Sequence, residues 1–110
     1  MTATLLDGEA LATEIKADLT ARVAALVDRG ITPGLGTILV GDDGPSANYV
    51  AMKHRDCAEL GIASVHNHRP ATASQEELEP LVGRFNDDPG VDGFFIQHPI
   101  PAHLDYEAAV

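Results

Sequence analysis

At 110 residues with 45% hydrophobic content, the chain has the size and composition of one domain with a packed core rather than several. Seventeen acidic against seven basic residues give a formal net charge of -10, so long-range electrostatics count against nucleic acid and anionic membranes as partners. No apolar run nears the roughly 20 residues of a membrane span. The start, Met1-Thr2-Ala3-Thr4, lacks the pattern of a secretion signal, and the single Cys57 allows no internal disulfide or cysteine metal cluster, so a cytoplasmic protein is expected.

In chain order, Asp7 caps a predicted helix in which Leu11, Ile15, Leu19, Val23 and Leu26 recur every three or four residues, and Gly30 closes it. Thr32-Pro33-Gly34 is a turn. Leu35 to Val40 is the short apolar run of a strand buried on both faces of a parallel sheet. Gly41 to Pro45 reads as a loop, Ser46 as the N-cap of a helix from Ala47, and Gly61 as its stop. Ile62 to His68 alternates as a second strand. Ser74-Gln75-Glu76-Glu77 is a capping box, followed by an apolar helix face of Leu78, Leu81, Val82 and Phe85. Pro80 conflicts with that helix: it removes a donor and crowds the Glu76 carbonyl, at about 3 kcal/mol, which predicts a kink or a late start. Asn86 to Gly90 turns into a third strand, Val91 to Gln97, ended by His98-Pro99-Ile100-Pro101, and Asp105 caps the first turn of another helix.

Strands alternating with helices predict an α/β fold, a three-layer αβα sandwich with a mainly parallel sheet, incomplete at the carboxyl end. Ligands of such folds bind beyond the carboxyl ends of the strands. Tyr49 and Lys53, one turn apart on the helix after the first strand, and Gln97, ending the third, are expected to converge there. Together they offer a ring to hold a flat molecule, an amine to move a proton and an amide to orient it. Lys53, His54 and Arg55 form the densest basic cluster, the one place for an anionic group. The pair His66 and His68 lies on one strand face without a third ligand at recognisable spacing, so a solvated strand end is expected rather than zinc. Gly34-Leu35-Gly36 precedes a strand, whereas a dinucleotide loop follows one. Cys57 reads as a small core residue, and the Asp42-Asp43 and Asp87-Asp88 pairs as turn residues.

Ser46-(x2)-Tyr49-Val50-(x2)-Lys53-x-Arg55-x-Cys57-(x3)-Gly61-Ile62, with Gly93-Phe94-Phe95-Ile96-Gln97-His98-Pro99-Ile100-Pro101, resembles the bifunctional methylenetetrahydrofolate dehydrogenase/methenyltetrahydrofolate cyclohydrolase family. Asp7-Gly8, Pro33-Gly34-Leu35 and Leu39 to Asp43 add matches, so the likeness covers essentially the whole chain. It implies an enzyme of one-carbon metabolism, supplying purine biosynthesis, that oxidises methylenetetrahydrofolate with NADP and hydrolyses the methenyl product to formyltetrahydrofolate. By that likeness Lys53 is the general acid/base, Tyr49 the folate-stacking ring and Gln97 the amide bonded to the lysine. Tyr49, Val50, Ala51, Met52, Lys53, Ile96, Gln97, His98 and Pro99 are its substrate-contacting residues. A lysine serves such proton transfer when burial and nearby cations favour its neutral form, and His54 and Arg55 are its nearest cations in sequence.

The resemblance further implies residues 1–110 as an amino-terminal tetrahydrofolate-binding catalytic domain, no metal, and a homodimeric parent. NADP is expected on a carboxyl-terminal Rossmann domain outside these residues. Three departures stand out: His98 where the family usually has leucine, Pro80 inside a helix, and an end at Val110 before the family's Asp-Val-Asp-Gly segment. The alternative expectation is a non-catalytic α/β folate-binding or scaffold module.

Overall fold

The computed structural model describes residues 2–110. Its elements are α1 (Gly8–Asp28), β1 (Gly34–Val40), α2 (Gly44–Leu60), β2 (Ala63–Arg69), α3 (Gln75–Asp87), β3 (Gly93–Ile96) and α4 (Tyr106–Ala109). The three strands form one parallel sheet in the order β2-β1-β3, with Thr37 of β1 flanked by His66 and Phe95, and Ile38 by Asn67 and Ile96. Side chains alternate across a strand. Ile38, Val40 and Ile96 therefore face α3, where they join Leu78, Leu81, Val82 and Phe85 in the hydrophobic core. Thr37, Leu39 and Phe95 take the other face, under α2. Helices on both faces give the expected αβα layering, and the sheet is open.

Close packing explains two glycines. A Cβ on Gly34 would lie 1.7 Å from the Gly90 carbonyl oxygen, and one on Gly36 would lie 2.9 Å from the Phe85 ring, so β1 seats against the turn and α3 only with hydrogens there. At the same end of the sheet, just before Ala63 pairs with Gly34, Gly61 terminates α2 with φ 84°, the left-handed geometry a C-terminal glycine supplies without strain.

Several boundaries differ from the sequence expectation. Helix α2 begins at Gly44, capped by Asp43 rather than Ser46, because Pro45 suits the first turn, where no N–H is needed. Helix α3 runs unbroken through Pro80, without the expected kink or late start. Both Pro80 and Glu76 are exposed, so the missing bond lies on the watered side of the helix, where it costs least. Strand β3 is shorter than Val91 to Gln97 because Asp92 is used elsewhere: its carboxylate and N–H pair with the N–H and C=O of Gly34, both at 2.8 Å. Strand β2 starts at Ala63 and is largely exposed as an edge. The apolar stripe of α1 is mostly solvent-facing too: Leu11 is 57% exposed, and Val23 is the helix's buried residue. Among the described residues, no helix is long and apolar enough to cross a membrane.

Candidate active site

The loop leaving β1 and the loop leaving β3 depart toward opposite faces, one into α2 and the other toward α4, which packs on α3. Adjacent strands whose connections diverge in this way open a crevice at their carboxyl ends. One buried hydroxyl spans it. Ser46, 1% exposed in the first turn of α2, sits 2.6 Å from Asp43 Oδ2 and 3.0 Å from the His98 carbonyl oxygen. Both neighbours are acceptors, so a single proton serves the two contacts. The Ser46 hydroxyl and N–H hold the Asp43 carboxyl below the usual carboxylate range. Gln97 Nε2 donates to the same His98 carbonyl at 3.0 Å, and the peptide into Pro99 is cis.

Helix α2 is set at its other end by α1: Lys16 Nζ bonds Asp56 at 2.8 Å and Glu59 at 3.1 Å, which raises the Lys16 pKa. Underneath, Thr37 at the centre of β1 is fully buried, and its hydroxyl lies 2.8 Å from His54 Nε2 and 2.7 Å from His66 Nδ1. A hydroxyl donates one proton, so it donates to one imidazole and accepts from the other. His68, on the same face of β2, donates from Nε2 to the Gly41 carbonyl at 2.6 Å. Among the described residues, no group of three or more His, Cys, Asp or Glu could hold a metal ion.

Successive helical residues point about 100° apart. While His54 turns down toward β1 and β2, Lys53 emerges on the β3 side. Its Nζ lies 5.6 Å from the centroid of the Tyr49 ring and 5.3 Å from that of Phe95, both within cation–π range. Among the described residues it enters no ion pair. Lys53 thus stands over Phe95, the penultimate residue of β3. The groups around the amine are aromatic, not the sequence neighbours His54 and Arg55. His54 is bonded to Thr37, and Arg55, two residues on, projects from another side of the helix.

The expected contact residues divide. Tyr49 is 55% exposed, Ala51 and Met52 are exposed, and Gln97 is half-buried with its amide turned to backbone rather than to Lys53. Val50 and Ile96 are each 3% exposed and packed inward, so their side chains face the core and not a ligand. Pro99 is exposed, and the His98 ring packs on Tyr106 with centroids 4.5 Å apart. Sequence reasoning missed Phe95 and Thr37. Two adjacent phenylalanines in a strand must take opposite faces, and a lone threonine within an apolar strand asks for a partner; both signals were present. A groove of about 330 Å³ beside β3 includes Phe95, Ile96 and Tyr106 in its lining but neither Tyr49 nor Lys53.

Residues 6–110 match the family described as tetrahydrofolate dehydrogenase/cyclohydrolase, catalytic domain. The bifunctional protein FolD of Syntrophotalea carbinolica is 51% identical over all 110 residues, which span 38% of that protein. Among solved structures, the bifunctional FolD of Campylobacter jejuni superposes with a TM-score of 0.93 at 39% identity, over 96% of this chain and 38% of that one. The Trypanosoma brucei methylenetetrahydrofolate dehydrogenase-cyclohydrolase, solved with NADP and an inhibitor, gives 0.95 at 38% identity, over 99% of this chain and 38% of that one. The chain thus spans well under half the length of these relatives, and over nearly all of its own length it belongs to the tetrahydrofolate dehydrogenase/cyclohydrolase family, catalytic domain.

Proposed function

We propose that residues 1–110 form the folate-handling catalytic domain of a bifunctional enzyme that oxidises methylenetetrahydrofolate with NADP and hydrolyses the methenyl product to formyltetrahydrofolate. The observation that carries the reading is Lys53: an amine without an acidic partner among the described residues, one helical turn from an exposed tyrosine ring, in a chain of this family. In the hydrolytic step, water adds to the cationic methenyl carbon and one carbon–nitrogen bond opens. Lys53 takes one proton from the attacking water and returns it to the leaving nitrogen, and the second proton of the water passes to solvent as the formyl carbonyl forms. Tyr49 offers its exposed face to the pterin or aminobenzoate ring. Gln97 turns its amide from the His98 carbonyl toward the amine when substrate arrives.

NADP supplies a hydride acceptor where it is bound, and the T. brucei relative was solved with it. The residues described here do not fit it. Gly34 and Gly36, the nearest approach to a glycine-rich loop, face Gly90 and Phe85 in tight packing, which leaves no cradle for a pyrophosphate. The cofactor accordingly belongs to a Rossmann domain outside these residues, in a cytoplasmic, homodimeric parent.

Hydrolysis of methenyltetrahydrofolate by a chimera tests the reading, with residues 1–110 replacing the matching segment of the S. carbinolica relative. Lys53→Ala is expected to lower turnover by about 10²–10⁴-fold while the fold is kept. Unchanged turnover would remove Lys53 from the chemistry, and binding of a folate analogue without any turnover in the unmutated chimera would favour a non-catalytic module.

A further inference from the structure

We infer that Phe95 is a positioning residue that, together with Tyr49, holds the Lys53 amine. The role of the held lysine in catalysis rests on the function proposed above; the hold itself does not. Of the two rings, Phe95 is the nearer to Nζ, at 5.3 Å against 5.6 Å. No carboxylate lies within 4.0 Å of Lys53 among the described residues, whereas Lys16 is fixed by two. A lysine on four rotatable bonds loses its position unless something holds it. Here two ring faces do so in place of an ion pair. In the free protein Gln97, which follows β3, donates to the His98 carbonyl, so the two rings are the contacts of the amine until substrate binds.

Holding the amine is separable from holding the strand. Phe94, on the other face of β3, stacks on Phe85 with centroids 5.3 Å apart and planes at 22°, and Ile96 lies beside it in the core. Those residues anchor β3. Phe95 is thereby free to serve the α2 side, and it matters most when a substrate ring covers Tyr49. The pterin then competes for the tyrosine face, and Phe95 remains as the fixed wall against which the amine is aimed.

Proton NMR of the protein tests this without any folate. The methylene protons beside Lys53 Nζ, near two ring faces, should lie upfield of those of Lys16, the chain's other lysine. In Phe95→Leu that displacement should fall by roughly half. Labelling of Lys53 by an amine-acylating reagent, read by mass spectrometry as a ratio to Lys16, should rise about two- to fivefold, the value of one exposed cation–π contact. Phe95→Tyr should preserve both signals. An unshifted Lys53 in the unmutated protein overturns the inference whatever the variants do, and so does an unchanged ratio in a folded Phe95→Leu protein. In the chimera, Phe95→Leu should lower kcat by a similar factor with KM unchanged; a change in KM alone would make Phe95 a substrate contact instead. Loss of the hold in Phe95→Leu with turnover intact would leave Phe95 as the group that holds the amine and remove that hold from catalysis, whereas an upfield Lys53 in a protein whose Lys53→Ala chimera turns over normally would sink the folate reading and spare Phe95.

Discussion

Toward α3 the sheet presents Ile38, Val40 and Ile96 to Leu78, Leu81, Val82 and Phe85, a contact of hydrocarbon on hydrocarbon. Toward α2 it presents Thr37, His66 and Phe95 beside Leu39, and α2 answers with His54 and Lys53 as well as Val50, Cys57 and Leu60. Apolar contact is strong but indifferent to small rotations of a helix about its axis. Hydrogen bonds are directional. Bonding of His54 to the Thr37 hydroxyl therefore fixes the roll of α2, and fixing the roll decides on which side Lys53 emerges. One face carries the stability, while the other gives up apolar area to aim side chains. The Lys16 bonds to Asp56 and Glu59 steady the same helix from its outer side.

That division is broken most severely on the α3 side. Leu78 is 1% exposed within the core, and Leu78→Ala should cost about 3 kcal/mol through lost burial and the cavity left behind. A urea titration followed by circular dichroism reads the loss. In the protein that remains folded, the Lys53-to-Lys16 labelling ratio should not change. A cost below about 1 kcal/mol would mean that the stability is not concentrated on this face.

On the α2 side the expected cost is smaller and the expected rearrangement larger. Thr37→Val keeps the shape and removes the hydroxyl, leaving His54 Nε2 and His66 Nδ1 without their shared partner. Water reaches part of both rings, so about 1 kcal/mol is expected, at the low end for an unpaired polar group. The discriminating readout is positional: the ring-current shift of Lys53 should change in Thr37→Val and not in Leu78→Ala. The same shift in both variants would leave the roll of α2 to packing alone.

The layered fold was legible because its signals are local and repeated: the apolar run of Leu35 to Val40, the Asp7, Ser74 and Asp105 caps, and Gly61 at a helix end. Two of the expectations that the structure corrected were at Pro45 and Pro80, where the cost of a proline depends on whether its position is in the first turn or faces water. At the site, the residue types were legible and their partners were not. Spacing put Tyr49 and Lys53 on one helix face, but Phe95 reaches Lys53 only through strand pairing, with more than forty residues between them in sequence. His54 looked like a charge beside the lysine. Its destination, Thr37, became apparent only when the sheet register set Thr37 beside His66.

The mildest test of the comparison is pH. Burial first, and then the positive charges of His54 on α2 and His68 on its own strand, push the His66 pKa below 6.5, against the opposing Thr37 bond. Thr37 itself carries no charge. In the unfolded chain His66 takes up its proton near 6.5, and in the folded chain at lower pH, so between those values the unfolded state binds more protons. The stability contribution is therefore complete above 6.5 and is lost as the pH falls through the window beneath it. Solvent at the outer edge of the ring keeps the effect small. Urea midpoints compared at about pH 7.5 and 5.5, above the range where most carboxylates protonate, should fall on acidification in the unmutated protein and fall less in His66→Gln. Leu78→Ala, whose cavity lies across the sheet, should follow the unmutated protein at a constant offset. Equal slopes for His66→Gln and the unmutated chain would assign the pH sensitivity to groups outside the α2 face, and the contrast between the two faces would then be one of packing only.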